Sequence, residues 1–349
     1  MIRFECDYQE GCHPRILQRL AETNMEQTSG YGADPHCERA KELIRRACGA
    51  PEAGVHLLVG GTQTNTIVIK SLLDPCQGAV CVDSGHINVH ESGAIEATGH
   101  KVLPLPGREG LLEAGVLEKF LADFHDDPTA EHMVQPGLVY VSHPSEDGTL
   151  YTRRQLGDLR AVCRKYGLPL FLDGARLGYG VMAEGSDVSL PDLAELCDAF
   201  YIGGTKVGAL FGEAAVFPKG APKRFRTLIK QQGGLLAKGR LLGIQFEVLF
   251  EDGGDGKDCL YFEIAAHADR EAMRIRRAFE AKGAAMLYDS PTNQQFPILT
   301  APQLDRLARD FSFERWQKLE DGRVAARFCT SWATAPENVD ALLTAIQDL

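Results

Sequence analysis

The stretch Asp198-Ala199-Phe200-Tyr201-Ile202-Gly203-Gly204-Thr205-Lys206-Val207-Gly208-Ala209 decides how the chain folds and where its chemistry sits. An apolar run that stops at two glycines and a threonine reads as a buried strand ending in a tight turn, and a lone lysine follows at once. Taken alone, a loop lysine is an exposed one. Held at the mouth of a sheet, the same amine can have its pKa lowered and attack a carbonyl carbon to form a Schiff base.

Outward from this stretch, short apolar runs alternate with helical spacing. Strands are predicted over residues 55–59, 79–82, 101–105, 138–142, 169–172, 200–202 and 214–217, with helices over 64–73 and 153–166. Such alternation predicts an α/β fold, a mostly parallel sheet covered by helices on both faces, with its ligand outside the carboxyl ends of the strands. Upstream, Pro14 opens a helix in its first turn, and helical spacing resumes over 36–47 after the turn-rich Gly30-Tyr31-Gly32-Ala33-Asp34-Pro35. Downstream, Glu251-Asp252-Gly253-Gly254-Asp255-Gly256-Lys257-Asp258 reads as a turn between elements or domains. Beyond it a helix over 263–281, strands over 295–299 and 324–330 and a closing helix over 336–349 predict a smaller α+β unit. The organisation expected is an N-terminal arm with helices over 1–50, a large domain over 51–250 and a small C-terminal domain over 251–349.

Composition narrows the function. A chain of 349 residues buries roughly three quarters of its extended surface, so it needs no disulfide or metal staples. Lys plus Arg number 37 against 48 for Asp plus Glu, and a net charge of −11 opposes a polyanionic partner, so no nucleic-acid role is expected. The ten cysteines are dispersed with no CxxC pair and no Cys/His ligand spacing, which predicts reduced thiols and no metal centre. Acidic residues interrupt the first segment, Met1 to Asp7, and no window approaches 18 consecutive apolar residues. The expectation is a cytoplasmic chain with no membrane partner.

Three further stretches carry chemistry. The strand Leu168-Pro169-Leu170-Phe171-Leu172 runs into Asp173-Gly174-Ala175-Arg176, placing a carboxylate and a guanidinium at the same kind of strand edge. Pyridoxal phosphate asks for such a carboxylate, because an Asp paired with its pyridine nitrogen keeps that nitrogen protonated and the ring able to accept electrons. A helix N-cap is the other use of an aspartate there. Gly60-Gly61-Thr62-Gln63-Thr64-Asn65, between a strand and an apolar helix, allows either an ordinary cap or one cofactor phosphate on free helix N–H groups, with Thr62 adding a hydroxyl. It lacks the Gly-Lys-Ser/Thr of a nucleotide-triphosphate loop and is too short for the dinucleotide pattern. In Asp83-Ser84-Gly85-His86-Ile87-Asn88-Val89-His90-Glu91, the His86 imidazole could stack on a planar cofactor.

In combination and order, Tyr31-Gly32-Ala33-Asp34, Gly61-Thr62-Gln63, Gly85-His86-Ile87, Asp173-Gly174-Ala175-Arg176, Gly203-Gly204-Thr205-Lys206 and Ala326-Arg327-Phe328-Cys329-Thr330 make the chain resemble the threonine aldolase and β-eliminating lyase group of fold-type I pyridoxal-phosphate enzymes. The resemblance implies a transferase-like three-layer sandwich with a smaller C-terminal α+β domain, and pyridoxal 5′-phosphate as cofactor. It implies that Lys206 forms the covalent link, Asp173 holds the pyridine nitrogen, His86 stacks on the ring, and Gly61, Thr62 and Gln63 hold the phosphate. Arg176 and Arg327 would bind the substrate carboxylate, whose desolvation a guanidinium fork offsets.

The chain departs from the family pattern in two places. Val141-Ser142-His143-Pro144-Ser145-Glu146 stands where members usually carry an Asn-Thr-His-Asn-like stretch, with His143 at the proton-transfer position. Gly233-Gly234-Leu235-Leu236-Ala237-Lys238 replaces Gly-Gly-Gly-Met-Arg, so Lys238 takes the place of a phosphate-contacting arginine. The activity implied is cleavage of a β-hydroxy-α-amino acid of the threonine or allo-threonine type to glycine and an aldehyde. β-Elimination or racemisation of a related amino acid is the second reading, and a non-catalytic cofactor-binding regulator the third. The resemblance also implies a homodimer or homotetramer, with Tyr31 crossing an interface between subunits.

Overall fold

Seven strands form one sheet in the order Gly54–Leu58, Glu213–Phe217, Ala199–Gly203, Leu170–Asp173, Gln135–Ser142, Gln77–Val82 and Lys101–Leu105 in a computed structural model that describes residues 1–251 and 258–349. The last five are mutually parallel, and Glu213–Phe217 runs antiparallel to both its neighbours. Every residue of Leu170–Asp173 and Ala199–Gly203 is buried, as expected of strands covered on both faces by helices.

Alternation along the strands sorts side chains between two cores. Val139, Val141, Leu170, Leu172, Phe200 and Ile202 join one apolar cluster. Their alternates Leu138, Tyr140, Phe171, Ala199 and Tyr201 join the cluster on the other face, closed by the apolar side of the Gly61–Leu72 helix. The seven predicted strands all occur, with ends displaced by up to a few residues.

A second, smaller sheet is built from Ile298–Leu299, Val324–Cys329 and Glu314–Lys318, with Gln294–Gln295 also paired to the central strand. It packs with the Leu260–Ala281 and Pro336–Gln347 helices around Phe279, Leu304, Phe328 and Leu342. Ile2–Arg3 pairs parallel with Phe311–Ser312, and Phe4 enters this core. The start of the chain is therefore tied to its C-terminal third. Residues 252–257 of the predicted inter-domain turn lie outside the described residues.

Cys12, Cys37, Cys48, Cys81, Cys163, Cys197 and Cys329 are buried without a disulfide, and burial pushes the thiols of Cys48 and Cys163 up to about 12. No helix among the described residues is long and apolar enough to cross a membrane.

Candidate active site

Neighbouring parallel strands deliver their chemistry to one edge of the sheet. Lys206 follows Ala199–Gly203, Asp173 ends Leu170–Asp173, Glu146 follows Gln135–Ser142, and His86 opens a short helix after Gln77–Val82. All four side chains line one cavity of about 530 Å³, together with Arg176 and Arg327. A larger cleft of about 610 Å³, which includes Glu113, Asp158 and Asp289, lies elsewhere and contains no lysine or histidine.

Glycines allow this convergence. A Cβ on Gly174 would stand 1.9 Å from the Tyr201 carbonyl oxygen, and one on Gly203 would stand 2.3 Å from that of Ala175. Only bare backbone lets the Asp173 and Lys206 turns approach so closely. The Gly203 N–H donates to the Gly174 carbonyl at 2.9 Å and fixes the two turns together.

Asp173 is fully enclosed by donors. Tyr201 donates to its Oδ1 at 2.5 Å and the Ala175 N–H at 3.0 Å, while Tyr140 donates to Oδ2 at 2.6 Å and Asn65 at 3.0 Å. Burial opposes ionisation, but the His86 charge and these donors hold the carboxyl below its ordinary range. Tyr140, Phe171, Asp173 and Tyr201 occupy alternate strand positions on one face, which is why the two hydroxyls meet the carboxylate.

His86 shares a partner with this group. Its Nδ1 lies 2.8 Å from Glu91 Oε1, which also accepts from Asn65 at 2.7 Å. Burial disfavours the imidazolium, yet the Glu91 bond and the charges of Glu146, Asp173 and Glu91 raise the His86 pKa overall. Asn65 Oδ1 and Glu91 Oε2 are buried with no hydrogen-bond partner among the described residues.

The Lys206 ammonium lies 5.9 Å from the centre of the Tyr8 ring, and the Lys206 carbonyl accepts from Tyr179 at 2.5 Å. Beside it, Glu213 Oε1 accepts from Thr205 at 2.8 Å and Oε2 from the Gly204 N–H at 3.1 Å. Burial pushes the Glu213 carboxyl up to about 8 despite these donors.

Each arginine has two guanidinium nitrogens engaged, those of Arg327 donating from Nη1 to Gln294 at 3.2 Å and from Nη2 to the Glu5 carbonyl at 3.1 Å. Arg176 donates from Nε to Asp7 at 2.7 Å and from Nη2 at 3.2 Å, leaving Nη1 at 3.6 Å from Glu146. Burial resists the Asp7 charge, but Arg176 and Lys206 hold that carboxyl down at about 2. The Arg176 side chain therefore anchors the N-terminal arm and presents one nitrogen to the cavity. Arg327 lies 4.9 Å over the Trp316 ring, is ion-paired with Glu314, and keeps a buried Nε with no partner. The Glu314 side chain is 45% exposed, so a carboxylate already sits on Arg327 from the solvent side.

Gly60, Gly61 and Thr62 line the same cavity at the start of the Gly61–Leu72 helix, whose N-cap makes no side-chain bond. The helix N–H groups there are open to an anion. Gln63 is turned away, taking a bond from the Val59 N–H at 3.3 Å and donating to the Gln232 carbonyl at 3.3 Å. Its side chain braces the turn and is not part of the cavity lining.

Three other expected site residues lie outside the cavity. His143 is fully buried, both ring nitrogens lack a partner, and burial lowers its pKa to about 4. The strand alternation that sends Tyr140 and Ser142 toward Asp173 sends His143 to the opposite face, against Gly180. Its backbone N–H, by contrast, donates to the Asp173 carbonyl at 2.9 Å. Tyr31 and Lys238 are exposed on a surface where the Tyr31 N–H donates to the Ala237 carbonyl at 3.2 Å and Arg226 donates to the Tyr31 carbonyl at 2.8 Å. Tyr31 adopts φ +60°, an uncommon conformation for an aromatic residue.

Sequence reasoning missed Asn65, Glu91, Tyr140, Tyr201 and Glu213. Asn65, the one amide in the run Thr64-Asn65-Thr66-Ile67-Val68-Ile69 of the Gly61–Leu72 helix, was the one legible signal.

A family model described as beta-eliminating lyase matches residues 7–296. A low specificity L-threonine aldolase of Pseudomonas aeruginosa is 26% identical over 345 residues, 97% of this chain and 95% of that protein. A protein of the same name from Saccharomyces cerevisiae is 27% identical over 293 residues, 82% of this chain and 72% of its own length. The solved structure of Leishmania major threonine aldolase superposes with a TM-score of 0.94 at 43% identity, covering 100% of this chain and 99% of that one. A Thermus thermophilus aspartate aminotransferase variant shares the fold at a TM-score of 0.73 and 15% identity, over 99% of this chain and 96% of its own. With its lysine, aspartate and histidine gathered at one sheet edge and the family match running through all three, the chain belongs to the β-eliminating lyase family.

Proposed function

We propose that this chain is a pyridoxal-phosphate-dependent lyase that cleaves a β-hydroxy-α-amino acid of the threonine type to glycine and an aldehyde. The observation that carries the reading is the convergence of Lys206 and the ionised Asp173, from adjacent strand ends, on one cavity that also meets an uncapped helix N-terminus. The residues present fit the cofactor. Asn65 Oδ1 and Glu91 Oε2 are buried without partners beside the cavity, and the amine, carboxylate and free N–H groups match an aldehyde, a pyridine nitrogen and a phosphate. When bound, pyridoxal phosphate supplies an aldehyde and a protonated ring that takes up the electron pair released at the substrate's α-carbon.

The chain's own residues do the rest. Lys206 would hold the aldehyde, Asp173 the ring nitrogen, and Gly60, Gly61 and Thr62 the phosphate, with His86 against the ring. An ionised Asp173 would keep a proton on a ring nitrogen held beside it, because its four donors and the His86 charge stabilise the carboxylate. Arg327 pairs with the substrate carboxylate in exchange for Glu314, and Arg176 Nη1 lies on the same cavity wall. Pinning the carboxylate orients the bond to be broken, which selects the reaction. Tyr31 and Lys238, set apart from their own cavity, are assigned to the site of a second copy in a homodimer or homotetramer.

Incubation with threonine, allo-threonine and phenylserine tests the reading: glycine plus the matching aldehyde is the expected outcome. A 2-oxo acid plus ammonia would assign elimination instead. Lys206→Ala is expected to abolish both turnover and the borohydride-fixed adduct of pyridoxal phosphate, mapped by peptide mass.

A further inference from the structure

Cleavage of the carbon–carbon bond requires a group that takes the β-hydroxyl proton, and His143, at the expected position, has no access to the cavity. The other acid–base groups lining it are almost all committed. Asp173 accepts four hydrogen bonds and is assigned to the ring nitrogen, Glu91 is held between His86 and Asn65, Glu213 between Thr205 and Gly204, and Glu314 by Arg327. Glu146 is different. Among the described residues its carboxylate makes no hydrogen bond, and its only charged partner within ion-pair reach is Arg176 Nη1, at 3.6 Å. That separation is too long for a hydrogen bond.

The position of Glu146 is fixed by the fold. Strand order places the turn carrying Glu146 between Asp173 on one side and His86 on the other. The turn is rigid: the Ser145 N–H donates to the Thr149 carbonyl at 3.0 Å, and Gln294 donates to the Glu146 carbonyl at 3.4 Å. Only 14% of the side chain is exposed, so its charge acts in a poorly hydrated wall where electrostatic effects on a bound group are large. Two titratable rings also line the cavity: Tyr8, exposed with its ring centre 5.9 Å from the Lys206 ammonium, and His90, exposed with its centre 5.6 Å from that of His86, which places it at the rim.

We propose that Glu146 is the base that receives the β-hydroxyl proton in the aldolase reaction, a role that rests on the function proposed above. In this step the O–H proton passes to the Glu146 carboxylate and the O–H electron pair becomes the second carbon–oxygen bond of the aldehyde. The Cα–Cβ pair stays with the α-carbon, which takes a proton from the Lys206 ammonium, and Glu146 returns its own proton to water after the aldehyde leaves. A correctly placed general base contributes typically about 10²- to 10⁴-fold.

The test compares Glu146→Gln, Glu146→Asp, His90→Ala and His143→Leu holoenzymes in three measurements. These are threonine cleavage, exchange of the glycine α-proton in deuterated water followed by NMR, and affinity of the apo-protein for pyridoxal phosphate by fluorescence titration. Glycine has no β-hydroxyl, so its exchange does not need the proposed base. Glu146→Gln is expected to lose cleavage by about 10²-fold or more while exchange and cofactor affinity stay within about threefold, and Glu146→Asp to recover part of the loss. His90→Ala and His143→Leu are expected to keep most of the cleavage. Parallel loss of cleavage, exchange and cofactor affinity in Glu146→Gln overturns the proposal in favour of a purely structural role beside Arg176. Retained cleavage in Glu146→Gln, or a larger loss in His90→Ala or His143→Leu, also overturns it. A wild-type enzyme that exchanges glycine but releases no aldehyde refutes the aldolase reading itself.

Discussion

Asp173 and Glu213 are both fully buried at the same edge of the same sheet, and their surroundings drive them in opposite directions. Asp173 accepts four hydrogen bonds and faces the His86 imidazolium, so its carboxyl is held below the ordinary range. Glu213 accepts two, from Thr205 and Gly204, and burial carries it up to about 8. Burial alone therefore does not set the charge of an acid; each has a cationic neighbour, His86 or Lys206, and the number of donors, four against two, separates them. In the function proposed above, one carboxyl would hold a cationic ring nitrogen, while the other stays protonated beside Lys206 near neutral pH.

Replacing Asp173 with Asn should expose this difference most strongly. Turnover is expected to fall by about 10³-fold, the scale on which loss of a preorganised charge acts, while borohydride still fixes the cofactor on Lys206. A variant that turned over at the wild-type rate would show that the ring nitrogen needs no carboxylate here. Asp7→Asn comes next, because it strands the buried Arg176 guanidinium. A loss of about 3–5 kcal/mol in denaturant unfolding is expected. The Asp7 carboxyl titrates near 2 in the fold and near 4 when unfolded, so its stabilisation is present above about pH 4 and disappears as pH falls toward 2. The variant should lack that acid-side slope.

Glu213→Gln gives the smallest effect at acid pH and one of opposite sign. A carboxyl raised from its ordinary value to about 8 contributes stability below about pH 4.5 that is lost as pH rises through 8. Unfolding measured across that window should show the wild-type declining relative to the glutamine variant. Parallel curves would mean that Glu213 ionises as readily folded as unfolded.

Much of the site was legible because strand ends have a local grammar. Apolar runs closing in Asp173-Gly174 and Gly203-Gly204-Thr205-Lys206 announce buried strands with functional turns, and both turns occur at the expected edge. Where the sequence misled, the cause is orientation. Tyr140 lies in the strand Gln135–Ser142 and His143 directly follows it, and only pairing against the Asp173 strand determines which of them faces the site. Glu146 was readable as a residue but not as a cavity wall, since a turn after a strand carries no period from which to deduce direction. The charged strand Glu314–Lys318, which supplies Trp316 and Glu314, escaped because exposed alternation of charged residues resembles a loop.

The sequence by itself determined the α/β alternation, the lysine, aspartate and glycine turns, and the order in which strand ends deliver chemistry, because these follow from local periodicity and steric freedom. Only tertiary structure decided that Asp7 commits the Arg176 fork, that Phe4 belongs to the C-terminal core, and that Glu146 rather than His143 lines the cavity. Each of those outcomes depends on contacts between segments far apart in the chain, where strand pairing and close packing, not neighbouring residues, fix the direction of a side chain.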